Sequence, residues 1–553
     1  MPARSPDITP GPRPDDRYND FFIHVPEFYN FGYDVVDAWA AKEPEKTAML
    51  WVNQQGEERR YSFRDMKIGS DLAARLLHDL GISKGDRVFV MLPRIPEWWI
   101  LVVALIKLGA VYTPAPTLLT PHDISYRLRI GGFALVITDC ENVHKVQEAL
   151  REGSLRPQCM VIDGEVPGWT SYPKKFVPVS PQVKDLPLVK TKSSDPLLIF
   201  FTSGTTGNPK MVLHDHSYPL GHIVTARLWQ DVTQSDLHFT ISDTGWAKSA
   251  WGNLFGQWIE GAAVFVYDIR GKFDPAEIPP LLEKYAITTF CCPPTIYRML
   301  ILLDLARYNL SKLRHCVSAG EPLNPEVIRI WKEKTGLAIY EGYGQTETLL
   351  CIGAFPGREC PPGSMGKPAP GWRIELHDKN GRSVGFHREG RIAIALDPRP
   401  VGLFSGYIEN EAANKKSFVK GWYYTDDKAA MDDDGYFWFI GRDDDVIKAS
   451  GYRIGPFEVE SALMEHPAVV EAAVVGSPDP IRGQIVKAFV VLKPGFGPSG
   501  ELVTDLQEHV KKVTAPYKYP RAIEFVDSLP KTHSGKIRRN ELREREAKKF
   551  TPE

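Results

Sequence analysis

The sequence predicts an α/β protein of more than one domain, and three observations carry that reading. Apolar runs of strand length alternate with helix-patterned segments through the first half of the chain, as in parallel sheets covered by helices. At 553 residues the chain exceeds what one hydrophobic core serves. After about residue 363 the pattern changes to short alternating segments, and after 444 to a compact run of helices and strands. The expected architecture is a large N-terminal domain over 21–443, with several subdomains of parallel sheets and helices and a small β-rich one. A small α+β domain over 444–553 follows it, and residues 1–20, rich in proline, form a flexible arm.

The elements follow in order. Arg87–Leu92 reads as a strand, and Pro96–Leu108 as a helix with proline in its first turn, where a missing N–H costs nothing. Residues 133–138 form a strand, 141–150 a helix, 159–162 a strand and 196–201 a short buried strand. Residues 174–192, rich in Pro and Val, read as a surface connection. Strands are expected at 261–267, 287–292 and 313–319, with a helix over 296–305. Residues 372–377 belong to the β-rich subdomain. In the C-terminal part, 457–466 and 502–513 read as helices, and 469–475 and 487–492 as strands.

Composition narrows the function classes. Hydrophobic residues at 43% and charged residues at 25% are ordinary for a globular protein, and a net charge of −2 favours neither nucleic acid nor an anionic membrane as partner. The longest apolar run, Trp98 to Ile106, stops at Lys107 and is too short to span a bilayer. The N-terminus lacks the apolar core of a secretory signal, and its prolines with Asp15 and Asp16 argue against an amphipathic targeting helix. Seven cysteines at irregular spacing form neither a disulfide framework nor a metal signature, so a reducing cytoplasmic location is expected.

The segment that carries the chemistry is Thr202-Ser203-Gly204-Thr205-Thr206-Gly207-Asn208-Pro209-Lys210. Its hydroxyls, two glycines and lysine suit a chain that wraps a polyphosphate, because glycine lets successive N–H groups converge on one anion. It is not the common Gly-x-x-x-x-Gly-Lys-Ser/Thr loop, whose glycines lie further apart. Trp246 and Trp251 flank Lys248 in an otherwise apolar stretch. That lysine either snorkels to solvent or sits at a pocket mouth, facing a substrate or Cys291. Gly320-Glu321-Pro322 is a strand-end turn of the kind α/β folds use for ligands. Tyr340-Glu341-Gly342-Tyr343-Gly344-Gln345-Thr346-Glu347 offers an aromatic face for a purine, a hydroxyl for a phosphate oxygen and a carboxylate for Mg²⁺. Asp443-Asp444-Asp445 marks an exposed boundary, since adjacent carboxylates repel one another. Lys536 lies on a basic glycine turn, Thr532-His533-Ser534-Gly535-Lys536.

Taken in this order, these segments resemble the acyl-adenylate-forming enzymes: acyl-CoA synthetases, carrier-protein adenylation domains and firefly-type luciferases. The wording Glu341-Gly-Tyr-Gly-Gln-Thr-Glu347 is most similar to that of medium-chain acyl-CoA synthetases. The resemblance implies a ligase that uses ATP, Mg²⁺ and coenzyme A on a small carboxylic acid, with a mobile C-terminal lid. It implies that 202–210 holds the phosphates, that Gly320, Glu321 and Pro322 contact the adenine with Tyr343 stacked on it, and that Glu341 and Gly342 belong to the ATP/AMP site. Thr346 then meets the α-phosphate, Glu347 holds Mg²⁺ and Lys536 is the catalytic lysine. The family's Tyr-x-Thr-Gly-Asp is altered here to Tyr423-Tyr424-Thr425-Asp426-Asp427, which makes Asp427 the ribose ligand and puts Asp426 in place of the glycine. Arg442 is expected at the ribose, Asp444 at the lid hinge, Arg453 at a phosphate, and Gly451 with Tyr452 at the CoA channel. Trp246, Lys248 and Gly344 are expected to line the acyl pocket. Gly344 stands where acetyl-CoA synthetases carry a tryptophan, so a medium-chain, branched or aromatic acid is expected rather than acetate. The alternatives are transfer of the acyl group to a separate carrier protein, or binding of a nucleotide without catalysis.

Overall fold

The computed structural model describes residues 18, 21–173, 188–202, 209–271, 273–442, 445–449, 452–479, 482–531 and 536–549, with backbone alone at 448, 452 and 453. Two large sheets form the body of the molecule. In the eight-stranded sheet, Pro196–Phe201, Val111–Pro114, Arg87–Met91, Leu135–Asp139, Gln158–Ile162 and Thr170–Ser171 run parallel in that spatial order. At its other edge Met211–Asp215 and Gly406–Tyr407 add antiparallel pairings. The nine-stranded sheet has a parallel centre, in the order Ile339–Tyr343, His315–Ala319, Thr289–Cys291, Leu237–Thr240, Ala263–Asp268 and Thr47–Asn53. Shorter antiparallel strands close both of its edges.

One apolar core takes side chains from both sheets, among them Met49, Val264 and Val317 from one and Val88, Val90 and Leu198 from the other. The helix Pro96–Leu108 lies within it and is buried on every face, which explains why its sequence is apolar all round. Pro96 starts it and Gly109, at φ 68°, ends it. Lys107 can be buried there because its Nζ donates to Asp37 Oδ1 at 2.7 Å and to Asp71 Oδ1 at 2.5 Å.

The β-rich unit is an antiparallel sheet of Ile374–His377, Gly390–Ala395, Trp422–Met431, Phe418–Val419 and Phe437–Arg442. The C-terminal unit pairs Tyr452–Ile454, Ile447–Ala449, Gly483–Leu492 and Val469–Asp479, and adds Ala522–Phe525 parallel to Gly483–Leu492. The helices Pro456–Met464, Gly500–Val513 and Arg539–Lys548 cover this sheet, and its own apolar core contains Val459, Val474, Val490 and Leu506. The α/β class with a small C-terminal domain is thus the fold of the chain. Among the described residues no helix is long and apolar enough to cross a membrane.

One expected element differs, and one segment carried no expectation. The helix expected over 296–305 is Pro294–Leu300, followed by a turn and the 3₁₀ segment Leu305–Arg307. A π-helical turn, Val224–Trp229, continues the helix Tyr218–Ile223, and apolar periodicity does not distinguish it from α-helix.

Candidate functional site

The edge of the eight-stranded sheet builds one wall. Thr202 N–H donates to Lys210 O at 3.1 Å, and Phe201 pairs with Met211, so the two ends of the polyhydroxyl segment are fixed side by side. Ser203, Gly204, Thr205, Thr206 and Gly207 lie outside the described residues. Tyr407 pairs with Val212 on the next strand, and Lys210 Nζ lies 4.9 Å from the centre of its ring. The Tyr407 hydroxyl donates to Glu347 Oε1 at 2.8 Å. Burial raises the Glu347 carboxyl above the ordinary range, against the opposing pull of that bond and of the nearby Lys210 charge. His214 is fully buried, which pushes its pKa down to about 3 and keeps it neutral. Its Nε2 lies 2.8 Å from Thr346 O, and since a carbonyl only accepts, Nε2 carries the proton.

The second wall comes from the β-rich unit. Asp427 Oδ2 accepts from Tyr343 Oη and from Gln345 Nε2, each at 2.6 Å, and Arg442 Nε lies 3.8 Å from Oδ1. Gln345 Nε2 also donates to Thr425 O at 2.8 Å, and Tyr423 Oη donates to Gln345 Oε1 at 3.1 Å. Burial raises the Asp427 carboxyl, and Arg442 is the main group opposing it. Asp426 faces away, toward Arg391 at 3.3 Å and Lys416 at 3.0 Å. Its φ of 61° is left-handed, a conformation glycine takes freely and Asp tolerates better than most residues.

The third wall belongs to the nine-stranded sheet. The strand His315–Ala319 ends in Gly320, at φ 113°, and Glu321, with Pro322 continuing the turn. Glu321 Oε1 accepts from Thr295 N at 3.0 Å, Thr295 Oγ1 at 2.5 Å and Arg298 Nη2 at 3.3 Å. Burial would raise this carboxyl, but Arg298, Thr295 and Lys536 together hold it below its usual range. Lys536 reaches in from the C-terminal domain, so that a Cβ built on Gly320 would lie 4.0 Å from its Cε. Lys536 is exposed to the cleft, and desolvation by the protein around it lowers its pKa despite the attraction of Glu321.

Beside these walls lies a cavity of about 640 Å³, lined by Trp246, Lys248, Trp251, Gly344, Thr346 and Lys536 among others. Lys248 is half-buried and points into it, donating to Ala319 O at 2.5 Å, so it does not snorkel to the outer surface. Gly344 lines this cavity, and a Cβ there would lie 2.1 Å from Leu349 O and 2.6 Å from the Trp251 ring, so no side chain fits at this position unless its neighbours move. Glu341 and Gly342, both expected at the nucleotide, are buried. Glu341 is a core carboxyl that accepts from Leu323 N at 3.2 Å and is pushed up to about 8 by burial, and Gly342 packs against Leu350 and Trp229. Gly451 and Asp444 lie outside the described residues, as do the side chains of Tyr452 and Arg453.

The sequence reading left out Gln345, Tyr407, His214, Thr295 and Arg298. Gln345 stood inside the motif already singled out. The others occupy strands and helix starts whose local pattern is that of scaffold, and only the topology brings them to the cleft.

Comparison with known proteins gives this arrangement a family. The family described as AMP-binding enzyme matches residues 36–408, and its C-terminal domain matches residues 458–536. The chain belongs to the AMP-binding enzyme family. It is 47% identical over 552 residues to human acyl-coenzyme A synthetase ACSM3, mitochondrial, covering 96% of this chain and 92% of that protein. Among solved structures it is similar to an anthranilate CoA ligase in complex with anthranoyl-AMP, with TM-score 0.85 and 30% identity over 94% of this chain and 98% of that one. It is also similar to an acyl-CoA synthetase of Brucella canis, with TM-score 0.74 and 35% identity over 98% and 100%. The mitochondrial names overturn the cytoplasmic location expected above. Free cysteines separate reducing from oxidising compartments and do not distinguish one reducing compartment from another.

Proposed function

We propose that the chain is an ATP-dependent carboxylic acid–CoA ligase of the mitochondrion, acting on a medium-chain or aromatic acid. The observation that carries this reading is Lys536, delivered by the C-terminal domain into a cavity already lined by Thr346, Gly320 and Lys248. The acid's carboxylate attacks the α-phosphorus of ATP and releases pyrophosphate, and the thiol of CoA then displaces AMP from the acyl-AMP. Because the nucleophile of the first step is already an anion, positioning and charge neutralisation matter more than a general base. Thr346 and Lys536 neutralise charge at the α-phosphate, and Lys210 at the departing phosphates. Asp427, held by Tyr343 and Gln345, binds the ribose with Arg442, and Glu321 and Tyr343 frame the base.

The residues present suit Mg²⁺. Glu347 is a carboxylate on the same wall as Lys210, a hard oxygen ligand placed beside the group that would face the nucleotide's phosphates. Bound there, Mg²⁺ would neutralise phosphate charge. With Lys536 in the cleft the arrangement serves adenylation, and thioester formation requires the lid to withdraw it. Pyrophosphate release across C2 to C10, branched and aromatic acids, with and without CoA, tests the proposal. Release that is stimulated by CoA and peaks on medium-chain or aromatic acids is expected. Release indifferent to CoA would favour a carrier protein as acceptor, and no release with any acid would overturn the assignment.

A further inference from the structure

Resting on that reading, we infer that Tyr407 is a positioning residue for both the metal-binding carboxylate and the phosphate-binding lysine. Three independent features place it there. The Gly406–Tyr407 strand is hydrogen-bonded to the strand that leaves the phosphate segment, with Gly406 opposite Leu213 and Tyr407 opposite Val212. The hydroxyl donates to Glu347 Oε1 at 2.8 Å, and the ring lies 4.9 Å from Lys210 Nζ. The backbone repeats the link: Phe404 N–H donates to Glu347 O at 2.9 Å, and Ser405 N–H to Leu213 O at 2.7 Å. One buried side chain thus ties together two segments that are 137 positions apart in the chain, Lys210 and Glu347 (347 − 210).

Each contact has a separate consequence. A hydroxyl on one carboxylate oxygen fixes the plane of the carboxylate and therefore the direction in which the other oxygen is presented. The aromatic face attracts the ammonium group and limits where it can swing. The two functions can be separated by substitution. Tyr407→Phe keeps the ring and removes the hydroxyl, whereas Tyr407→Leu removes both.

The test uses the full-length enzyme and Mn²⁺ as a spectroscopic probe. Free Mn²⁺ is read by electron paramagnetic resonance in the presence of ATP, and ATP affinity in EDTA is read separately by calorimetry. Tyr407→Phe should weaken Mn²⁺ binding by about 10-fold, the low end for loss of a partner to a metal-binding carboxylate. It should leave ATP binding in EDTA within about twofold of the parent, whereas Tyr407→Leu should weaken both. Glu347→Gln is the reference. If Glu347→Gln weakens Mn²⁺ binding and Tyr407→Phe does not, this inference is wrong. If neither does, Glu347 is not the metal carboxylate, and the fault lies in the site assignment beneath it. Coincident melting curves for Tyr407→Phe and the parent confirm that the fold is intact.

Discussion

At the scale of single residues, the adjacent acids Asp426 and Asp427 show how backbone conformation assigns roles. Asp426 takes the left-handed conformation and points to Arg391 and Lys416, which leaves Asp427 as the carboxylate facing Tyr343, Gln345 and Arg442. Asp426→Gly should therefore leave the ATP KM within about twofold, because the exposed pairs it loses are each worth about 0.2–1 kcal/mol. Asp427→Ala should raise the ATP KM at least about 10-fold, as loss of a charged hydrogen-bonding partner does. Steady-state kinetics of the two variants side by side separate them. If both raise KM alike, the ribose is held by neither carboxylate alone. Lys536 invites a sharper comparison. Lys536→Ala should slow acyl-AMP formation by about 10²–10³-fold, the scale of a lost transition-state electrostatic contact, and spare thioester formation from supplied acyl-AMP. Single-turnover measurement of each half-reaction decides, and equal losses in both would remove Lys536 from its special role in the first.

At the scale of elements, the strand Ile339–Tyr343 was legible as the frame of the motif, but the direction of its side chains was not. Glu341 belongs to the wording that led to the nucleotide assignment, yet it turns into the core. Folded, it keeps its proton to about pH 8, whereas the ordinary value is 4.5. Between those values the folded chain binds more protons than the unfolded one, so stability falls as pH rises through the window and is level above it. The cumulative loss amounts to several kcal/mol, at about 1.4 kcal/mol per pH unit. Glu341→Gln keeps the acceptor for Leu323 N–H without the ionisation. Its melting temperature should match that of the parent near pH 5 and exceed it by a widening margin toward pH 8. A margin independent of pH would overturn this account. Elements with strong end signals were readable from sequence: Pro196–Phe201 has the expected bounds, and Pro96–Leu108 runs from its proline to the residue before Gly109. The helix Pro294–Leu300 was read too long because Ile301, Leu302 and Leu303 continue its apolar pattern, although Leu302 is exposed. Gly344 was legible as a cavity position, but the close packing of Leu349 and Trp251 that requires glycine there shows only in the structure.

At the scale of the whole molecule, the sequence marked the two ends of the site, the phosphate segment and Lys536, but not what holds the C-terminal domain against the body. That linkage is built from residues with no local signature. Arg298 lies 3.3 Å from Glu321 and 3.5 Å from Glu471 of the C-terminal domain, while Lys531 Nζ lies 2.8 Å from the other Glu471 oxygen. Asn324 Nδ2 adds a hydrogen bond to Ser461 O at 3.3 Å. Glu321, Arg298, Glu471 and Lys531 therefore form an alternating chain of charge from the candidate adenine segment to the lid strand Val469–Asp479, and Lys531 precedes Lys536 by five positions. Arg298 and Glu471 are each largely buried, so removing one charge should cost more than loss of an exposed pair, on the order of 1–2 kcal/mol. If this chain favours the docked arrangement, Glu471→Gln should slow pyrophosphate release by about 5- to 30-fold while leaving CoA-dependent consumption of supplied acyl-AMP unchanged or faster, as the lid movement proposed above requires. The deficit should shrink as ionic strength rises, since salt weakens the parent's linkage and has less to weaken in the variant. A uniform slowing of both half-reactions, insensitive to salt, would show that Glu471 serves the stability of the C-terminal sheet and that the docked lid is held by other contacts.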